Sequence, residues 1–374
     1  MAITLIEPNT LNFAENPIVF KATTDKSLGS EESMLRIVCN VTFQAVDRTG
    51  MQFSVELSQP VEDRGTAIFN LSDAAQTLIK RIHAGMDMNG GDALSHIGLH
   101  GYVGYCGEVW IKDGYEQKGD STSSSRFYVV PGRLTDYEML TKSNIDLTTL
   151  ASSRPMTRKP DAGIVYKGEK IIVPTLSTGG GAPTLSVSVG GSTVNSSGSS
   201  LTSYALDYQS VSVSSSAEGE LSVSSTFFGG EIFSGYYRTN TRDVHFLRFI
   251  NGFGAVENIA VRAKDKLSYE VSGETHSLVQ EISTRPTDRR YATKSQPVGV
   301  YELSSGYVPV RWAEWYVQEL LTSPRVWIQI GGKWVPALIE AEDDCVIYDR
   351  TKPEMPHVDF TLRLAIDGVT GCTW

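Results

Sequence analysis

The sequence predicts a mainly β protein of two or three antiparallel sandwich or barrel-like domains with two short α-helices. Three observations carry this. Apolar and polar residues alternate with period two over much of the chain. Glycine-containing tight turns separate the alternating runs. No β-α-β succession occurs, as a parallel sheet would require.

The first alternation places Leu35, Ile37, Cys39, Val41, Phe43 and Ala45 on one face, with Arg36, Asn40, Thr42 and Gln44 among those opposite. Asp47-Arg48-Thr49-Gly50 turns the chain, and Met51, Phe53, Val55 and Leu57 alternate with Gln52, Ser54 and Glu56. This is a hairpin with one dry face and one wet face. A helix follows, with Ser72 as its cap and Ala75, Leu78, Ile79 and Ile82 at helical spacing before Gly85. It is expected to cross the open end of the sandwich. Another run spans 95–112 and ends in Asp113-Gly114, a favoured tight-turn pair. Residues 115–125 are polar and unpatterned and predict an exposed loop, and Arg126 to Val130 a strand before Pro131-Gly132. The N-terminal domain is set at 1–135, with 136–162 as a linker.

From Ile171 to Tyr237 there is no Lys or Arg, and Ser, Gly and Thr dominate. Leu185, Val187 and Val189, then Val211 and Val213, then Leu221 and Val223 still alternate, so 163–237 predicts thin strands between polar loops rather than a flexible linker. Gly179-Gly180-Gly181 lacks the Gly-Lys-Ser/Thr of a phosphate cradle. The C-terminal domain, 238–374, opens with a hairpin around Asn251-Gly252-Phe253-Gly254. Leu267, Tyr269 and Val271 then alternate, and so do His276, Leu278 and Gln280 across the Ser272-Gly273-Glu274 turn. A second helix spans Val310 to Thr322, with Trp312, Trp315, Tyr316 and Leu320 in one stripe between Pro309 and Ser323-Pro324. A hairpin around Gly331-Gly332 and a strand through Val358, Phe360, Leu362 and Leu364 complete the domain, with 163–374 as a single unit the alternative division.

Composition narrows function. The chain has 374 residues, and 33 Lys+Arg against 43 Asp+Glu give a net charge of −10. With a pI near 5.2, its main task is not gripping phosphates, and no nucleic-acid partner is expected. No run of about 20 apolar residues predicts membrane insertion, and the start of the chain lacks the pattern of a signal peptide. Cys39, Cys106, Cys345 and Cys372 are too few and too scattered for a disulfide framework, which fits synthesis in a reducing cytosol.

Chemistry is sparse. His96 and His100, with Cys106 nearby, form the best metal candidate, but the glycines around them oppose a helix. In a strand, positions i and i+4 lie about 13 Å apart, too far for two imidazoles to share one zinc. Strand-face histidines are therefore expected, with no metal and no cofactor. Glu340, Glu342, Asp343 and Asp344 lack the spacing of a calcium loop and predict a solvated hairpin tip, with a weak calcium site near Glu342–Asp344 as the sharper alternative. There is no G-x-S-x-G, and no spacing singles out a carboxylate pair, so no catalytic residue is assigned and the protein is read as no enzyme. Trp312, Trp315, Trp327 and Trp334 read first as packing between helix and hairpin, and second as an exposed platform for sugar or protein.

Three segments resemble a known family. Leu11-Asn-Phe-Ala-Glu-Asn-Pro-Ile-Val-Phe-Lys21, Phe246-Leu-Arg-Phe-Ile-Asn-Gly-Phe-Gly-Ala-Val-Glu257 and Trp312-Ala-Glu-Trp-Tyr-Val-Gln-Glu-Leu-Leu-Thr-Ser-Pro-Arg-Val-Trp327 are similar to tail-region structural proteins, of distal-tail or baseplate type, of tailed bacteriophages and prophages of gut bacteria. The resemblance implies a non-enzymatic virion protein, made in the bacterial cytoplasm and built into the tail as a ring-like multimer with other tail proteins. It supplies no catalytic residues, and the Ser/Gly-rich centre departs from it. Because that centre has little Lys to blunt its strand edges, strand addition to a neighbouring copy through the Val211, Val213, Leu221 and Val223 strands is expected. The alternative is a receptor- or glycan-binding module that docks a host-surface glycan.

Overall fold

The computed structural model describes residues 3–46, 51–61, 65–86, 88, 96–141, 147–198, 200–270, 275–282, 285–292, 298–341 and 355–365. At 55 % strand against 12 % helix, the chain is mainly β, with several antiparallel sheets and a closed barrel. Among the described residues four short helices occur where two were expected.

The N-terminal unit is a two-layer sandwich. Its larger sheet runs Leu11–Phe13, Phe127–Val130, Leu99–Lys112, Glu32–Ala45 and Gln52–Pro60, with Tyr115–Thr122 also paired to Leu99–Lys112. The smaller sheet holds Thr4–Ile6, Val19–Thr23 and Thr66–Asn70. The first hairpin has the expected register, Phe43 opposite Phe53 and Val41 opposite Val55, and Ile37, Cys39, Val41 and Phe43 are wholly buried. Asp113 and Gly114 take φ of 52° and 79°, the paired left-handed geometry of a tight hairpin turn. That turn leads directly into Tyr115–Thr122, so the expected loop is a strand. Both of its faces meet water, which removed the alternation that would have marked it.

Helix Ser72–Ala84 buries Ala75, Leu78, Ile79 and Ile82 against the sandwich, as its spacing requires. Ser72 does not cap it: Leu71 is the capping residue and makes no side-chain cap bond. Asn70 Oδ1 instead accepts from the backbone N–H groups of Ile18 and Ser72, at 3.2 Å each, tying the helix start to the smaller sheet.

The 136–162 stretch, expected as a linker, carries helices Asp136–Thr141 and Leu147–Ser153. Leu147, Ala151 and Met156 are buried in a core shared with Leu11, Phe13, Val130, Leu176, Leu206, Phe253 and Ala255. One core thus draws on all parts of the chain. Each helix is under two turns long, too short for its periodicity to stand out in a polar stretch.

The central segment folds into a small sandwich. Gly163–Tyr166, Gly230–Arg238, Gly219–Ser225, Thr184–Val189 and Ser192–Gly198 form one sheet, and Lys170–Ser177 with Ala205–Ser212 the other. The sandwich encloses Leu185, Val187, Val211, Val213, Leu221 and Val223.

The C-terminal unit is a closed six-stranded barrel: Val244–Ile250, Val256–Glu270, Val298–Ser304, Asp359–Leu364, Lys333–Ala341 and Val326–Ile330. Helix Val310–Trp315 continues through the π-helical turn Tyr316–Leu321 and packs its Trp312, Trp315, Tyr316 and Leu320 stripe into the barrel core. The 272–274 turn lies outside the described residues, and the Thr275–Ile282 strand pairs with Arg285–Ala292 rather than with the strand preceding it.

Candidate functional site

The hairpin Val244–Ile250/Val256–Glu270 leaves the barrel wall and drives its tip into the N-terminal unit. Along the first strand, Leu247 and Phe249 point into the barrel core, while Ile250, with Val256 and Trp327, joins the N-terminal core. Alternation thus lets one strand serve two cores.

Asn251 closes the turn at the tip. Its Oδ1 accepts from the N–H of Phe253 (3.0 Å) and of Ala255 (2.9 Å), and its Nδ2 donates to Met156 O (2.9 Å) and to Glu257 Oε1. Gly252 N donates to Glu319 Oε2 at 2.6 Å. Phe253, 1 % exposed, stacks on Phe13 at 5.8 Å, and the Arg158 guanidinium lies 4.0 Å from its ring centre. Gly132 (φ 88°) gives the tip its room: a Cβ there would lie 2.1 Å from the Phe253 carbonyl carbon.

Charges around the tip are consumed in the joint. Arg158 bridges Glu138 and Glu319, at 2.7 Å to each. Burial opposes its charge, but those two carboxylates outweigh burial and hold its pKa above the ordinary value. Burial raises the Glu257 carboxyl to about 7, against the pull of its bonds to Thr157 and Asn251. Burial lowers His83 to about 4; its Nε2 lies 3.1 Å from Gly254 O, so the neutral ring donates there.

Beside the tip lies a cavity of about 630 Å³. Glu319 and Arg158 form part of its floor, and Lys80, Arg133 and Arg325 stand exposed at its rim. Glu319 spends both oxygens on Arg158 and Gly252, and neutral His83 is committed to a backbone carbonyl. Neither is poised to take a proton from a bound molecule.

The residues singled out from sequence lie elsewhere. Trp312, Trp315 and Trp327 are 5 %, 3 % and 9 % exposed. Trp312 and Trp315 pack edge to face at 5.4 Å, and Trp312 Nε1 donates to Asp161 O. They are core, not a platform. Trp334 is half-buried, with the Arg248 guanidinium 4.2 Å from its ring centre. Val211, Val213, Leu221 and Val223 point into the central sandwich and present no side chain to a neighbour. Along the Ala205–Ser212 border Ser197 Oγ donates to Ser210 O (2.7 Å), and just beyond it Asn195 Oδ1 accepts from Ser214 N (3.1 Å). Ser192–Gly198 thus lends side-chain bonds to this part of the central sandwich at two points.

His96 lies 3.6 Å from Asp207, whereas His100 bonds Gln44 at 3.1 Å. Cys106 sits opposite Cys39 with Sγ atoms 2.7 Å apart, both buried and free. Glu340 is exposed, and Glu342, Asp343 and Asp344 lie outside the described residues. The sequence reading did not find the roles of Arg158, Glu257 and Glu319; the turn signal of Asn251–Gly254 was visible, but not what the turn enters.

No family model and no curated protein matches the chain. Among solved structures it is similar to the full extracellular region of plexin A4, at 11 % identity over 64 % of this chain and 25 % of that one, with a TM-score of 0.19. It is also similar to the BSP domain of a biofilm-associated protein, at 11 % identity over 77 % of this chain and 60 % of that one, again with a TM-score of 0.19. The chain spans about a quarter of the plexin structure's length. Likenesses this slight carry no argument about fold or function.

Proposed function

We propose that the protein is a non-enzymatic structural subunit of a phage tail or baseplate that works as a multimer. The observation behind this is a meeting in space. The three segments that resemble tail proteins lie far apart in sequence and converge on the hairpin joint: Phe13 stacks on Phe253, and Gly252 N binds Glu319. The motif residues that suggested the family therefore act as one packing unit, as a shared scaffold requires.

A rigid joint suits a subunit that transmits load between neighbours. The surface offered to a sister copy is the border strand Gln52–Pro60, which pairs on one side with Glu32–Ala45 and has no ladder partner on the other among the described residues. Glu56 is its one charge, so little blunts it against strand addition. Repetition of one head-to-tail contact closes a ring.

Light scattering with negative-stain imaging tests this. The expected result is a discrete particle whose mass is a multiple of 40.9 kDa. A monomer at every concentration, alone and with tail extract, refutes it.

A further inference from the structure

Alternation sets Cys39 on the core face of Glu32–Ala45, beside Ile37, Val41 and Phe43. On Leu99–Lys112 the same face takes Leu99, Gly101 and Val103. Strict alternation would next turn Tyr105 inward and Cys106 outward. A bulge intervenes. Asn40 stands opposite Tyr105 but Val41 opposite Val103, so Gly104 has no partner on Glu32–Ala45. The extra residue shifts the phase by one and re-aims the side chains after it. Tyr105 is left half-buried, and Cys106, wholly buried, faces Cys39.

The two cysteines are 67 positions apart in the chain and directly opposed in the sheet. Opposed Cα atoms of an antiparallel pair lie about 4.5–5.5 Å apart, within the roughly 4.4–6.8 Å that a disulfide spans. One thiol already donates to the other, with the Sγ atoms 2.7 Å apart. Bulge, register and side-chain direction therefore place two free thiols where a bond between them needs no movement of the backbone.

We propose that Cys39 and Cys106 are an oxidation site, closing to a cross-strand disulfide when the protein meets hydrogen peroxide. One thiolate attacks a peroxide oxygen and breaks the O–O bond, leaving a sulfenic acid and one water. The second sulfur attacks the sulfenic sulfur, and the S–S bond forms as a second water leaves. Two thiols are oxidised and one peroxide is reduced. The bond to Cys106, then burial, hold the Cys39 thiol above its ordinary range, so thiolate forms as the strands open and closure is slow. The loop it closes contains Gln52–Pro60, Thr66–Asn70 and helix Ser72–Ala84, so one bond constrains most of the N-terminal unit. The site does not depend on the multimer.

Peptide mapping of the folded full chain, treated with hydrogen peroxide and then alkylated in denaturant without reductant, tests it. The product is expected to weigh about 2 Da less than the reduced chain, the two hydrogens given up. Its map should join the peptide of Cys39 to that of Cys106, and dithiothreitol should restore both thiols. Cys345→Ser with Cys372→Ser should leave the link in place, and Cys106→Ala should abolish it. If Cys106→Ala does not fold, the map of the Cys345/Cys372 variant decides. Both thiols still free to alkylate, after a day's exposure that oxidises glutathione completely in a parallel tube, overturns the proposal. So does sulfinic acid at either position in place of the link, or a link from Cys39 or Cys106 to Cys345 or Cys372 instead.

Discussion

Replacing Glu257 by Gln removes a titration without removing the bond that Asn251 makes to this side chain. The carboxyl titrates near 7 in the folded protein against an ordinary 4.5, because burial disfavours its charge. The sign follows from proton binding. Between 4.5 and 7 the native state holds a proton that the unfolded chain has lost, so this group makes stability fall as pH rises. Below 4.5 both states are protonated and the group costs nothing; above 7 the full penalty stands. The gap corresponds to about 3 kcal/mol at 1.36 kcal/mol per pH unit. Relaxation around the site and the nearby Lys159 reduce what is measured, so on the order of 1–3 kcal/mol is expected. Guanidinium unfolding of wild type and Glu257→Gln at a series of pH values from 4 to 8 reads it. The difference between the two curves is taken so that other groups, such as buried His83, cancel. The variant should be the more stable at pH 8, with the gain shrinking as pH falls towards 4.5. A difference that stays flat across that window, or grows on acidification, refutes the assignment of a buried, proton-retaining carboxyl.

Other consequences of the joint are as direct. Phe253→Ala removes a buried ring from between Phe13 and Arg158 and should cost about 3–5 kcal/mol in chemical denaturation, as large core deletions do. A loss below about 1 kcal/mol would show that the tip is not seated. Gly132→Ala forces a methyl into the Phe253 backbone at a left-handed φ and should cost roughly 2–4 kcal/mol, read as a fall in Tm, whereas Gly114→Ala meets open space and should cost less. Ser54→Lys with Ser58→Lys charges two exposed positions of the border strand. It should reduce the mass seen by light scattering while changing monomer stability by less than about 0.5 kcal/mol.

The sequence made some elements legible and hid others for physical reasons. The 35–45 and 51–57 strands, helix 72–84 and the 310–321 helix each bury one face, so period two or 3.6 is written into their apolar positions. Tyr115–Thr122 buries neither face and left no such trace. Which serines of the central segment bond a neighbouring strand was not legible, because a hydroxyl that bonds a carbonyl, as Ser197 does, is identical in sequence to one in water. The joint was least legible. Arg158, Arg248, Glu257 and Glu319 are ordinary charged residues in a one-dimensional pattern, and only tertiary contacts remove them from solvent. The tryptophans are close in sequence but divide between two cores: Trp312 and Trp315 pack in the barrel, while Trp327 is buried in the N-terminal core with Trp334 against it.

A core that borrows side chains from residue 11, residue 151, residue 206 and residue 253 leaves nowhere to cut. Fragments ending near 135 or starting near 238 would strip Phe13 and Phe253 of each other and put both in water. Such truncations should precipitate or need detergent, and dissection of this molecule calls for point changes in the intact chain.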